Sequence, residues 1–259
     1  MSGHIHCEDL DRLGHLAAVR VSNVGKFNAM SRRMWCELKA VFDALATRSE
    51  LRCVVVSGEG GHFCAGGDIS EYPDFRFDPE RLAHFHENEV WGGLDAMRRC
   101  PVPVVAAIEG NCMGAGVEMA SCCDIRVAGV SARFGAPIAR LGFPMAPREA
   151  HLVAQALGGA TAREMLLEAA ILPAAEMKER GFLNRVVDDA QVMFKALGSA
   201  QRIVTLAPGA ARLNKHTLRV LAEAPTDLAK LVEGAYAYAD HEEHREGIGA
   251  FLGKRQPVF

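Results

Sequence analysis

The stretch AAIEGNCMGAGVEMA, Ala106–Ala120, runs from an apolar strand through small residues into a helix that carries one carboxylate, Glu118. A strand that passes through a glycine loop and opens a helix is the elementary step of an α/β chain. The same passage raises a chemical question. Glu118 stands three residues after Ala115, so the two share a face of the helix whose unpaired N–H groups open onto the loop.

Working outward, the strand–loop–helix step recurs. Leu16–Val21 reads as a first strand, and Asn28-Ala29-Met30-Ser31 leads into a helix through Ala46 with apolar positions Met34, Leu38, Val41, Phe42 and Leu45. Arg52–Ser57 is a β-branched run ended by the loop Gly58–Asp68, and Val102–Ile108 is the strand before the opening passage. From about Met193 the β signal disappears, and helices are expected over Ala211–Ala222, Thr226–Asp240 and Glu243–Leu252. The expected division is a core carrying the site over residues 1–195 and a helical segment over 196–259.

Composition bounds the function. At 259 residues, 49% of them hydrophobic, the chain can bury one substantial core with a helical appendage. A formal net charge of −3 with scattered Lys and Arg gives no electrostatic footprint for nucleic acid or an anionic membrane. No apolar run reaches the ~20 residues of a membrane span, and the first residues lack signal-peptide character. A cytoplasmic protein is expected. The eight cysteines fit reduced, mostly buried thiols. His62, Cys64, Cys112, Cys122 and Cys123 lack ligand spacing, and no metal is expected.

Both glycine loops follow a strand and open a helix, which aims backbone N–H groups at a negative oxygen. A dinucleotide fingerprint fails, because Gly114-Ala115-Gly116-Val117-Glu118-Met119 puts Met where a third glycine belongs.

The segments Phe63-Cys64-Ala65-Gly66-Gly67-Asp68-Ile69, Asn111–Glu118, Cys123–Ala128 and Ala132-Arg133-Phe134-Gly135, in this order, resemble the crotonase (enoyl-CoA hydratase/isomerase) family. The likeness runs from Gly25-Lys26-Phe27-Asn28-Ala29-Met30 to the terminal Glu246–Phe259. The resemblance implies an α/β spiral of ββα units of the ClpP/crotonase kind, with a C-terminal helical segment used in trimer packing. It implies an acyl-CoA substrate, with no cofactor beyond the coenzyme A of the substrate, and a homotrimer or dimer of trimers. Val220, Leu221, Leu228, Leu231 and Val232 are candidates for the subunit contact.

By resemblance, the backbone N–H groups of Gly67 and Ala115 hold the thioester carbonyl, and Glu118 is the general acid/base, acting on water in the family's hydratases. An oxyanion gains ~3–4 kcal/mol from each such preorganised donor. The same resemblance assigns Asp68, with Ala65 and Ile69, to the coenzyme end of the site; Gly114 is expected among the substrate contacts, and Lys26 is a candidate to pair with a coenzyme phosphate. Asp124 reads as a structural turn acid, and His84 and His86 as exposed residues of a helix over the acyl pocket.

One position departs from the pattern. In Phe134-Gly135-Ala136-Pro137-Ile138 the residue after the proline should be the family's second glutamate, and it is Ile138. The Gly-rich turn that should follow is replaced by Pro144-Met145-Ala146-Pro147-Arg148-Glu149. Three functions stay open: a hydratase-like enzyme with Glu118 and a recruited acid such as Glu149, a thioester hydrolase or decarboxylase, and an acyl-CoA-binding protein.

Overall fold

The computed structural model describes residues 3–223, 231–232 and 235–259. Its strands are β1 (His4–Asp9), β2 (Leu16–Ser22), β3 (Cys53–Gly58), β4 (Val104–Ile108), β5 (Asn111–Met113), β6 (Ile125–Gly129), β7 (Arg133–Gly135), β8 (Ile171–Pro173) and β9 (Arg185–Val187). They form a six-stranded sheet in the order β1-β2-β3-β4-β6-β9 and a three-stranded sheet in the order β5-β7-β8. Only β1–β2 is antiparallel in the larger sheet; β2 through β9 pair in parallel. Twice, at β4–β5 and at β6–β7, the chain lays a strand in the large sheet and then a short strand in the small one before it continues into a helix.

The helices are α1 (Arg32–Ala46), α2 (Pro79–His84), α3 (Trp91–Arg99), α4 (Ala115–Cys122), α5 (Pro147–Leu157), α6 (Gly159–Leu167), α7 (Ala174–Glu179), α8 (Val192–Val204), α9 (Pro208–Glu223) and α10 (Glu242–Leu252). Ser31 caps α1 by accepting the Met34 N–H at 3.3 Å, and Met34, Trp35, Leu38, Phe42 and Leu45 turn inward from it. The parallel strands are apolar throughout because both faces are covered. Val54, Val56, Val104, Ala106 and Ile108 pack with α1, α3 and α4, whereas Cys53, Val55, Val105 and Ala107 pack with Val192, Ala196 and Ala200 of α8.

The sequence expectations for β2, β3, β4 and α1 agree with these elements within two residues. The sequence reading lacked β1, where Ile5 is the one buried side chain, and the three-residue strands. Residue 195 falls inside α8, which covers the large sheet, and α9 and α10 follow it. Of the expected helix Thr226–Asp240, residues 226–230 and 233–234 lie outside the described residues, Leu228 among them; 231–232 are helical and 235–240 form turns. Six of the eight cysteines are buried; Cys7 and Cys36 are exposed, and all are free thiols.

Candidate active site

Backbone hydrogen bonds stitch four segments side by side. Met30 N–H donates to Gly66 O and Met113 N–H to Cys64 O, both at 2.8 Å, and Gly114 N–H donates to Gly135 O at 2.8 Å. The two glycine loops therefore touch: a Cβ on Gly114 would lie 3.6 Å from the Cα of Gly66. Gly114, with φ +46° and ψ −109°, turns the chain from β5 into α4 in a conformation that side chains rarely adopt. Gly67 has a steric reason as well, since a Cβ there would meet the Tyr72 hydroxyl at 2.3 Å.

Gly67 and Ala115 line one cavity of about 320 Å³. Ala115 is the first residue of α4, where a helix leaves its N–H groups unpaired, and no described residue accepts a hydrogen bond from the Gly67 N–H. Glu118, one turn further along, also faces this cavity and is only 7% exposed. Burial raises its pKa well above the ordinary value, and the charge of Glu149 pushes it up further. Its carboxyl therefore holds a proton at pH values where an exposed glutamate would be ionised.

Glu149 lines the same cavity from the first turn of α5 and is 3% exposed. The Nδ1 of His86 lies 2.8 Å from its Oε1. This corrects the sequence reading of His86 as an exposed residue: its side chain is 16% exposed, against 62% for His84. The cause is a π turn at Phe85–Val90, directly after α2. Its wider winding shifts the face presented to the core, burying Phe85, Glu89 and Val90 in a stretch that is polar in sequence.

Ile138 faces the cavity in the turn Pro137–Leu141, so an apolar side chain does occupy the wall where the sequence pattern calls for a carboxylate. Trp35, Phe85, Val90, Phe143 and Met145 continue that wall. Arg76 and Tyr72 stand in it too, the guanidinium 3.5 Å from the Phe143 ring centre and 4.5 Å from that of Tyr72. Burial pushes the Tyr72 phenol up to about 12.

Among the other expected site residues, Ala65, Ile69 and Gly114 line the cavity. Lys26 and Asp68 do not. They pair with each other, Nζ to Oδ2 at 2.6 Å, and Lys26 Nζ also donates to Ser70 Oγ at 2.8 Å. Burial works to raise the pKa of Asp68, but Lys26 and the two Ser70 donors outweigh it and hold the carboxyl below its ordinary value. Asp124 ties the start of β4 to α9, accepting from Val104 N–H and Lys215 Nζ at 2.7 Å each. Among the described residues no group of three or more His, Cys, Asp or Glu is arranged to hold a metal ion, and no described helix is long and apolar enough to cross a membrane.

Residues 12–259 match the family model described as enoyl-CoA hydratase/isomerase. An enoyl-CoA hydratase of Mycobacterium tuberculosis is 30% identical over 263 residues, covering 96% of this chain and 95% of its own length. A mevalonyl-coenzyme A hydratase of Beauveria bassiana is 30% identical, covering 95% of this chain and 91% of its own. The crystal structure of an enoyl-CoA hydratase/carnithine racemase from Magnetospirillum magneticum superposes with a TM-score of 0.90 at 35% identity, over 95% of this chain and 92% of that one.

Proposed function

The chain belongs to the enoyl-CoA hydratase/isomerase family of the crotonase superfamily, and we propose that it hydrates an enoyl-CoA, or runs the same reaction in reverse. The thioester carbonyl lies between the N–H groups of Gly67 and Ala115, and Glu118 is the general acid/base beside it. The observation that carries this reading is the juxtaposition, in one largely apolar cavity, of two loop N–H groups without a described partner and a buried carboxyl that no described donor binds.

Conjugate addition of water puts electron density on the thioester oxygen. Fixed N–H donors lower that barrier most when water is excluded, and Trp35, Phe85 and Val90 supply the apolar surroundings. Ala65, Ile69 and Gly114 contact the substrate near the thioester, while Lys26, half exposed and paired with Asp68, meets a coenzyme phosphate. Asp68 then acts by orienting Lys26. No cofactor is needed beyond the coenzyme A of the substrate.

The subunits assemble, on this reading, as a cytoplasmic homotrimer or dimer of trimers. Val220, Leu221 and Leu231 are half-buried and Val232 is exposed, and α9 has no buried residue, which leaves apolar surface for a neighbouring copy.

Turnover of a crotonyl-CoA panel, read by loss of the enoyl absorbance, tests the proposal. Hydration by the wild type supports it. Release of free coenzyme A without hydration would instead favour a hydrolase built on the same N–H pair, and tight binding without either reaction would favour an acyl-CoA-binding protein.

A further inference from the structure

We propose that Glu149, aimed by His86, is the second proton-transfer carboxylate of this cavity and replaces the acid that Ile138 displaces. The inference rests on the acyl-CoA hydration reading above and assigns it a residue from a different element of the fold.

Hydration requires two proton movements: one proton leaves the attacking water and another reaches the α-carbon. Ile138 can carry out neither. Two carboxyls face the cavity, Glu118 from α4 and Glu149 from α5, and these helices pack against each other. Two buried carboxyls at close quarters do not both ionise readily, so their environments separate their roles. Glu118 has no described hydrogen-bond donor, and burial together with the charge of Glu149 raises its pKa, which favours its protonated form. Glu149 Oε1 has the Nδ1 of His86 at 2.8 Å, and an imidazole that carries a proton on that nitrogen donates it to the carboxylate.

The step follows with atoms balanced. The Glu149 carboxylate takes a proton from water as the water oxygen bonds to the β-carbon. The π electrons of the double bond move toward the thioester oxygen, held by the Gly67 and Ala115 N–H groups. As the carbonyl re-forms, the α-carbon takes the proton of Glu118. Glu149 ends protonated and Glu118 ionised, and one proton passed between them through water resets the pair. No oxidant or further reactant enters.

His86 touches Glu149 rather than the reacting atoms, which makes it a positioning residue. It reaches the cavity from the π turn that follows α2. The charged and titratable groups facing Glu149 are Glu118 from α4, His86 from the π turn, and Tyr72 and Arg76 from the segment after Gly67. The neighbouring Arg148 is tied to Glu87 at 2.9 Å.

The test uses the full chain with crotonyl-CoA as substrate and butyryl-CoA as the binding probe. Glu149→Gln should lower kcat by roughly 100-fold or more while leaving butyryl-CoA affinity within about threefold. A folded Glu149→Gln variant with wild-type kcat, beside an active wild type, would overturn this inference and leave the acyl-CoA reading standing. An inactive wild type would overturn both. Should Glu149→Gln not fold, His86→Ala decides. Loss of the ring N–H should raise the acidic limb of the kcat profile, because the Glu149 carboxylate loses its donor, with KM nearly unchanged; His86→Asn, which keeps an N–H, should recover part of the rate. An acidic limb that stays in place in His86→Ala would contradict the assignment.

Discussion

Two walls of one cavity were built in different ways. The α4 wall is a single short passage: Gly114 turns the chain, Ala115 offers an N–H and Glu118 follows on the same helix face. The α5 wall is assembled from distant segments, with Ile138 from one turn, Glu149 from a helix start, and His86 from a π turn 63 residues before Glu149. A donor and an acid three residues apart are coupled by helix geometry, whereas an acid on a separate element is free to change its place in the sequence as long as it reaches the same space. What the chemistry fixes is a location in the cavity, and the chain has more than one way to fill it.

Breaking the α4 wall should cost most. Glu118→Gln keeps the side chain's shape and removes its proton chemistry, so hydration of crotonyl-CoA should fall on the order of 1,000-fold with acyl-CoA affinity kept within a few-fold. Ala115→Pro removes one N–H at a helix position that tolerates the ring, and kcat should fall by roughly 100- to 1,000-fold. Steady-state rates beside a circular dichroism spectrum check both.

Moving an acid back across the α5 wall sharpens the contrast. If place rather than residue number governs, Ile138→Glu in a Glu149→Gln background should recover roughly tenfold of the lost rate. The gain is bounded because the new carboxyl enters an apolar wall and pays desolvation. No recovery in a folded double variant would mean that the rebuilt turn at Pro144–Glu149 has closed that position.

Stability should record the same asymmetry more weakly. Glu118 has a folded-state pKa raised above the ordinary 4.5, so the folded chain binds more protons than the unfolded one above that value, and stability falls as pH rises. Glu118→Gln should lack that loss. Its thermal midpoint relative to wild type should therefore rise from pH 5 to pH 8, and a constant difference would argue against a buried, protonated Glu118.

The smallest effect is expected at Lys26. Lys26 is half exposed and paired with Asp68, and Lys26→Ala should cost about 1 kcal/mol of stability or less. A rise in KM for acyl-CoA but not for acyl-pantetheine would tie the lysine to the phosphate-bearing end of the coenzyme.

The same division explains what the sequence made legible. β3 and β4 are runs of Val and Ala buried on both faces, and α1 has a capped start with an apolar stripe; such signals are local and strong. β1 presents His4, His6 and Glu8 around one buried Ile5, and β5, β7 and β8 span three residues each, too short for a period to register. In the site, Gly67, Ala115 and Glu118 could be named through the family resemblance that the two glycine loops carry, and all three line one cavity. The absence of an acid at Ile138 was equally visible, and Glu149 could be offered as its substitute. The burial of His86 was not, because the π turn that carries it leaves no apolar period in the string His84-Phe85-His86-Glu87-Asn88.

The central claim is that Gly67 and Ala115 hold a thioester carbonyl, and carbonyl polarisation reads it directly. Butyryl-CoA labelled with carbon-13 at its carbonyl should show a downfield-shifted resonance when bound to the wild type, and the shift should shrink in Ala115→Pro at saturating ligand. A bound resonance at the free-ligand position in the wild type, or an unchanged shift in Ala115→Pro, would contradict the account.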